Sequence, residues 1–190
     1  MTEPTQRSLA KADRRQALLD AAAEQFALRG FTRVSLEDLG AAVGVSGPAV
    51  YRHFEGKQAV LGALLVGVSE GLSRGGQAVV DDADDPAVAL AALVRFHVHF
   101  AMTNADVIRV QDRDLDSLTD EDRHSVRALQ RAYVELWVDV LRLLRPDEEP
   151  AALRTRAHAT FGLINSTPHS GSTRETRSIL ETMALAALAA

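Results

Sequence analysis

Between Arg33 and Lys57 the chain carries hydrogen-bonding and cationic side chains, Arg33, Ser35, Ser46, Tyr51, Arg52, His53 and Lys57, interleaved with the small residues Gly47, Pro48 and Ala49. Hydroxyl, imidazole, guanidinium and ammonium tips are the groups that meet phosphate oxygens. Small residues at a helix tip let the backbone approach a groove floor, where an apolar contact falls to a thymine methyl. The chemistry on offer is therefore recognition of a nucleic-acid duplex rather than bond making. No Gly-x-Ser-x-Gly elbow, phosphate loop or zinc-helix motif occurs, so no catalytic residue, metal ligand or cofactor is implied.

Presenting such a tip requires two short helices at a fixed angle, and Ser35 to Phe54 is written for that. Ser35 is placed to cap the first helix, with Asp38 three residues on completing a weak capping box. Leu36, Leu39, Ala42 and Val43 recur at helical spacing and are expected to face inward. Gly44 supplies the left-handed stop, and Val45 tucks between the helices. Ser46 is a second N-cap, and Pro48 is tolerated in a first turn, so the second helix is expected over Gly47 to His53. Val50 and Phe54 anchor its buried side. Ser46, Gly47, Pro48, Ala49, Arg52 and His53 then lie on the outer face and N-terminal end, where a recognition helix meets base edges.

The stretch Arg15 to Leu64 resembles the N-terminal domain of TetR-type transcriptional regulators. The resemblance rests on Arg15, Leu18, Ala21, Ala22 and Phe26, then Gly30-Phe31, Ser35, Leu39, Gly44-Val45-Ser46, Tyr51, His53-Phe54, Lys57 and Leu61. The chain departs from the family at Gly40 and Val43, where Ala is more usual, and at Gly47-Pro48-Ala49. The resemblance implies an all-α protein. Its N-terminal three-helix helix-turn-helix DNA-binding domain (1–56) would be followed by a larger helical ligand-binding and dimerisation domain (57–190). It also implies a DNA operator, near-palindromic to match a homodimer, and a small-molecule effector whose binding changes the spacing of the two heads.

The composition suits this reading. The 190 residues are 46% hydrophobic, enough for a substantial core. There is no cysteine, which excludes disulfides, thiolate zinc sites and cysteine nucleophiles. No apolar run approaches the ~20 residues of a membrane span and the N-terminus lacks a signal core, so a cytoplasmic protein is expected. The net charge of −5 argues at first against a polyanionic partner. Residues 1–57, however, hold 8 Lys+Arg against 7 Asp+Glu, and the remainder 13 against 19. A mildly basic head on an acidic body suits docking at one end.

Residues 1 to about 8 read as a mobile arm, followed by a bracing helix from Leu9 to Arg29 that stops at Gly30. Arg14 and Arg15 reach the DNA backbone or simply solvate a helix end; the sequence leaves both open. From Lys57 a long helix runs through Leu72. Its glycines, Gly62, Gly67, Gly71, Gly75 and Gly76, each weaken it by up to ~1 kcal/mol relative to Ala, so a bend or fraying is expected. Asp81 to Asp85 before Pro86 signals the next helix, Pro86 to Thr103, with Leu90, Leu93, Val94, His97 and Ala101 on one face. His97 and His99 lie about 200° apart around that helix and cannot chelate one metal. Arg109, Asp112 and Arg113, on a helix over Asp106 to Leu118, read as solvated ion pairs.

Thr119 opens a helix with Val126, Leu129, Tyr133, Leu136, Trp137, Val140 and Leu144 as its buried stripe, ended by Pro146. A further helix spans Glu149 to about Ser166, then a turn-rich loop to Ser172 and a last helix from Arg174 to Leu188. Ile179, Leu180, Met183, Ala184, Ala187 and Leu188 form an apolar stripe that needs a partner. By resemblance, the last two long helices pair with their copies across a two-fold axis. The effector chamber would lie among helices from Lys57 to Asn165, lined by Phe96, His97, Phe100, Arg109, Tyr133, Trp137, His158, Phe161 and Asn165. A mixed aromatic and polar lining suits an amphipathic effector, lipid-like or an acyl thioester. For His97 and for the Tyr133–Trp137 pair, plain core packing is the competing reading.

Overall fold

The computed structural model describes residues 6–170 and 173–190, and every regular element among them is helical. The chain runs α1 (Gln6–Arg29), α2 (Leu36–Ala42), α3 (Gly47–Val50), α4 (Lys57–Asp81), α5 (Pro86–Thr103), α6 (Ala105–Asp114), α7 (Asp120–Leu144), α8 (Pro150–Ile164) and α9 (Arg174–Ala189). Short 3-10 turns cover Phe31–Arg33, Leu115–Ser117 and Thr167–His169. Helix α1 begins at Gln6, three residues before the expected start, so residues 6–8 are helical rather than an arm; the rest of the expected arm, 1–5, lies outside the described residues. The last two residues of the Ser166–Ser172 loop are also outside them.

Local signals set most boundaries. Gly30, at φ 87°, ends α1, and its N–H bonds the Phe26 carbonyl at 2.8 Å. Asp85 caps α5 by accepting from the N–H groups of Ala87 and Val88 at 2.8 and 2.9 Å. Thr119 caps α7 through the Asp122 N–H at 3.1 Å. Pro86 and Pro150 stand in the first turns of α5 and α8, where a missing N–H costs nothing.

Two apolar cores result. In the first, Leu18, Ala22 and Phe26 of α1 meet Leu39, Val50, Phe54, Leu61 and Leu65, and Val107, Val110, Leu118 and Val126 join from α6, the loop after it and α7. Full burial of residues such as Phe26 or Leu39 contributes ~1.5–3 kcal/mol each. The second packs α5, α7, α8 and α9 around Leu93, Val98, Trp137, Leu141, Leu153, Ile164 and Leu188. Helix α5, with 18 residues at a mean hydropathy of 1.3, is long and apolar enough to cross a membrane, contrary to the expectation that no such run exists. It packs against α4, α7 and α9, which accounts for its composition as that of a core helix.

Helix α4 does not break at its glycines. It is continuous to Asp81, because three of them are sites of close approach. A Cβ on Gly62 would overlap the Asp122 carboxylate, one on Gly75 the Phe96 ring, and one on Gly76 would stand 2.5 Å from Tyr133 Cε2. The helix exchanges intrinsic propensity for intimate contact with α5 and α7. On α7 the expected buried stripe ends early: Leu144 is 39% exposed, while Val134, Val138 and Leu141 are buried instead. The stripe of α9 divides. Leu180, Ala184 and Leu188 face the body, whereas Ile179 and Met183 are half exposed and Ala187 is exposed.

Candidate functional site

The head is built as the spacing predicts in its first half. Ser35 Oγ accepts from the Asp38 N–H at 3.1 Å, and Asp38 accepts from the Ser35 N–H at 2.8 Å, closing the capping box. The bonds that the Asp38 carboxylate accepts from the Ser35 N–H and, also at 2.8 Å, from the Ser35 hydroxyl, with Arg29 beside it, hold its pKa below the ordinary range. Gly44, at φ 69°, makes the turn. The inward face differs from the expected one. Leu36, Leu39 and Gly40 are buried, Val43 is half-buried and Ala42 is exposed. A Cβ on Gly40 would lie 2.8 Å from the Val45 carbonyl oxygen and 2.9 Å from Val50 Cγ2, so the turn closes directly over the glycine.

Helix α3 is regular only over Gly47–Val50. It continues as turns, with the His53 and Phe54 N–H groups bonding the Val50 carbonyl at 2.8 and 3.1 Å. Ser46 occupies the cap position, but its hydroxyl makes no capping bond. Pro48 has no N–H to offer, and that of Ala49 takes the Ser46 carbonyl at 2.8 Å. Val50 and Phe54, at 0% and 4% exposure, wedge the element against the core. That leaves Tyr51 55% exposed, with Ser46, Pro48 and Arg52 exposed and Gly47 and Ala49 half-buried. Arg33 is exposed, and its carbonyl accepts from Arg29 at 3.2 Å.

Two of the expected contact residues are engaged within the head. Lys57 Nζ donates to the Thr32 carbonyl at 3.2 Å and sits 4.5 Å from the centroid of the Phe31 ring. His53 is half-buried, and its Nδ1 is enclosed without a hydrogen-bond partner. Burial lowers its pKa, and so does the field of Lys11, Arg52, Arg15 and Arg14. Three of those cations, Lys11, Arg14 and Arg52, line with His53 an open cleft of about 720 Å³ between α1 and α3, over Ala10, Val45 and Ala49. Lys11 has no counterpart in the sequence reading, because no spacing rule brings a residue of α1 beside a helix that starts at Gly47.

In the body, a cavity of about 200 Å³ is lined by Ser69 and Leu72 of α4, His97 of α5, Gln111 of α6, Leu129, Gln130, Tyr133 and Val134 of α7, and His158, Phe161 and Asn165 of the α8 region. His97 organises it. Its Nδ1 is 3.2 Å from Tyr133 Oη, its Nε2 is 3.2 Å from Asn165 Oδ1, and its ring stacks on Phe161 at 4.8 Å. Burial lowers the His97 pKa to about 4 and pushes the Tyr133 phenol up, so both are neutral at pH 7. Of the expected lining, His97, Tyr133, His158, Phe161 and Asn165 come together here. The others do not line it. Trp137 is fully buried behind the cavity with its ring 5.0 Å from that of Phe161; Phe96 lies on Gly75, and Phe100 borders His97 at 6.1 Å. Arg109 is bound to Asp106 at 2.9 Å and to the Pro168 carbonyl at 2.6 Å.

Nor do Arg109, Asp112 and Arg113 form the surface ion-pair row that their spacing suggests. Arg113 pairs with buried Asp114 at 2.8 Å and donates to the Ala27 carbonyl at 3.2 Å and to that of Phe26, the last turn of α1. A guanidinium there meets the negative end of the helix dipole and adds a second donor to the Phe26 carbonyl, which the Gly30 N–H already bonds. It also clasps the body to the head two residues from Gln111, which lines the cavity.

Comparison with known proteins matches this architecture. Residues 18–64 fit the family model described as bacterial regulatory proteins, tetR family, and residues 83–169 fit a tetracyclin repressor-like C-terminal domain. The chain belongs to the TetR family. It is a transcriptional regulator, of a family that binds DNA operators and small-molecule effectors and dimerises and is not enzymatic. The HTH-type transcriptional repressor KstR2 of Rhodococcus jostii is 27% identical over 139 residues, 73% of this chain and 68% of its own. The nucleoid occlusion factor SlmA of Marinobacter nauticus is 27% identical over 152 residues, 80% of this chain and 77% of its own. A TetR-family transcriptional regulator of Bordetella parapertussis superimposes with a TM-score of 0.79 at 25% identity, over 92% of this chain and 91% of its own. At Gly40 the turn closes more tightly than a methyl allows. Among the described residues no group of three or more His, Cys, Asp or Glu could hold a metal ion.

Proposed function

We propose that this TetR-family chain is a one-component repressor that a small molecule releases from a near-palindromic operator. Residues 1–56 form the DNA-binding unit, and 57–190 bind the effector and dimerise. The observation that carries the reading is the outward tip of α3. Tyr51 and Arg52 project from an element whose other side, Val50 and Phe54, is locked into the core. Ser46, Gly47, Pro48 and Ala49 enter the major groove. Tyr51, Arg52, His53 and Arg33 meet phosphates or base edges, and the α1 cations Lys11 and Arg14 extend the phosphate-facing set. Ser35 and Lys57 act from behind, one capping α2 and the other bracing the turn at Phe31–Arg33.

The dimer forms through α8 and α9. The exposed side of α9 at Ile179, Met183 and Ala187 is the apolar face that a second copy covers. Two-fold symmetry then sets the recognition helices ~34–36 Å apart, one DNA turn or a multiple. An effector in the cavity at His97, Tyr133, Phe161 and Asn165 presses on Gln111, and through Arg113 on the end of α1. It favours whichever head spacing its differential affinity selects. Repression, rather than activation, is supported by the likeness to a relative named as a transcriptional repressor. Such a protein works in the cytoplasm. Gel retardation of the DNA upstream of its own gene at low salt tests the reading; failure to retard any such fragment would refute it.

A further inference from the structure

The cavity is lined by polar but uncharged groups. Ser69, Gln111, Gln130, Tyr133 and Asn165 offer hydroxyl and amide partners; beside them stand two histidines, of which His97 is buried and His158 exposed at the edge. A charged group placed deep inside would lose its hydration with no countercharge to replace it. Outside, the lining changes character. Gln130, Val134 and His158 also line a second cleft of about 380 Å³ between α7 and α8, together with Arg127, Arg131, Glu135 and Arg154. The two hollows therefore adjoin across those three shared residues.

The charges in the outer cleft are unequally matched. Glu135 is held by Arg154 through two bonds of 2.5 and 2.9 Å, and this pairing lowers the Glu135 pKa. Arg127 and Arg131, one turn apart on α7, are both exposed and take part in no ion pair among those of the described residues. An otherwise acidic body thus keeps two unneutralised guanidinium groups beside the entrance to its cavity. Guanidinium forks are suited to the oxygens of carboxylates and phosphates.

We propose that the effector is a two-ended molecule. An uncharged end bearing a carbonyl or hydroxyl enters the cavity against His97, Tyr133 and Asn165, and an anionic oxygen group stays outside on Arg127 and Arg131, beside His158. This rests on the effector-responsive reading above and narrows the ligand class: neutral lipophiles bind weakly, and a molecule charged at its inner end is rejected. The cavity volume of about 200 Å³ limits the buried portion to a short chain or a single ring system.

The test uses the chain's one tryptophan as reporter, since Trp137 is fully buried and packs on Phe161, which lines the cavity. Three probes share a methyl ketone end: 7-oxooctanoate, its neutral methyl ester, and 7-oxooctyl phosphate. Titration of the intact protein by Trp137 emission and by calorimetry should give roughly tenfold tighter binding of the two anions than of the ester. That preference should weaken with added salt and vanish in the Arg127→Gln/Arg131→Gln double variant, with the ester serving there as control for an intact cavity. The two anions distinguish a carboxylate from a phosphate as the outer group. Equal binding of all three probes, a preference that survives in the double variant, or no response of Trp137 to any probe would overturn the assignment. Gel retardation by the unliganded protein is measured alongside. Its failure would remove the regulator reading without altering an anion preference, so the two failures are distinguishable.

Discussion

Substituting alanine for glycine along α4 should change sign from one turn to the next. In a helix interior the exchange ordinarily stabilises by about 0.5–1 kcal/mol, because Gly loses more backbone freedom on folding. At Gly67 and Gly71 an added Cβ meets nothing within 4 Å, so each Ala variant should gain that amount. At Gly76 the Cβ would stand 2.5 Å from Tyr133 Cε2 and 3.2 Å from Leu136 Cδ2. The Tyr133 ring cannot give way cheaply, since its hydroxyl is bonded to His97 at 3.2 Å and its face stacks on Phe161 at 5.7 Å. Overpacking of this kind costs about 1–3 kcal/mol and outweighs the propensity gain, leaving Gly76→Ala about 1–2 kcal/mol less stable. For a chain of this length each kcal/mol moves the melting midpoint by about 2–4 °C. Thermal and urea unfolding of the three variants, read by far-ultraviolet circular dichroism, measure it. A Gly76→Ala midpoint raised as much as that of Gly67→Ala would refute the close-approach argument.

Other expectations follow from the same contacts. Folded His97 stays neutral down to about pH 4, whereas the unfolded chain protonates it near 6.5. Its contribution is therefore complete above about pH 6.5 and is lost as pH falls toward 4, by up to about 3 kcal/mol. His53 is shifted in the same direction, so the His97 share is read as the difference between wild type and His97→Gln in denaturant midpoints across that range. Arg113→Ala leaves Asp114 buried without its guanidinium and removes the clasp on α1, and should destabilise by about 1–3 kcal/mol in the same assay. Met183→Asp on the half-exposed face of α9 should convert a dimer into monomers in sedimentation velocity, with little change in helix content.

What could be read in advance was local. The Ser35–Asp38 capping box, the Gly30 and Gly44 stops, and Pro86 act within one turn of themselves, so residue type and spacing suffice to place them. The pairing of Val50 with Phe54 could be read for the same reason. What escaped depends on the partner element. Gly62, Gly75 and Gly76 read as weaknesses of a lone helix because Asp122, Phe96 and Tyr133 approach from elsewhere in the chain. Arg113 looked like one of a row of surface charges, yet its acceptors on α1 are more than eighty residues away. Of the nine lining residues that the resemblance implied, His97, Tyr133, His158, Phe161 and Asn165 border the cavity. Gln111, Gln130 and Ser69 were missed because a polar residue facing a cavity is indistinguishable in sequence from one facing water.

The proposed reading of duplex DNA by the exposed tip of α3 is tested most directly by salt-resolved binding. Wild type, Tyr51→Ala and Arg52→Ala would be titrated against the DNA upstream of the gene over a range of potassium chloride concentrations. Wild type should retard the DNA, both variants should bind more weakly, and the dependence on salt should be shallower, by about one in slope, where a phosphate contact is lost. Wild-type binding that neither substitution changes would contradict it.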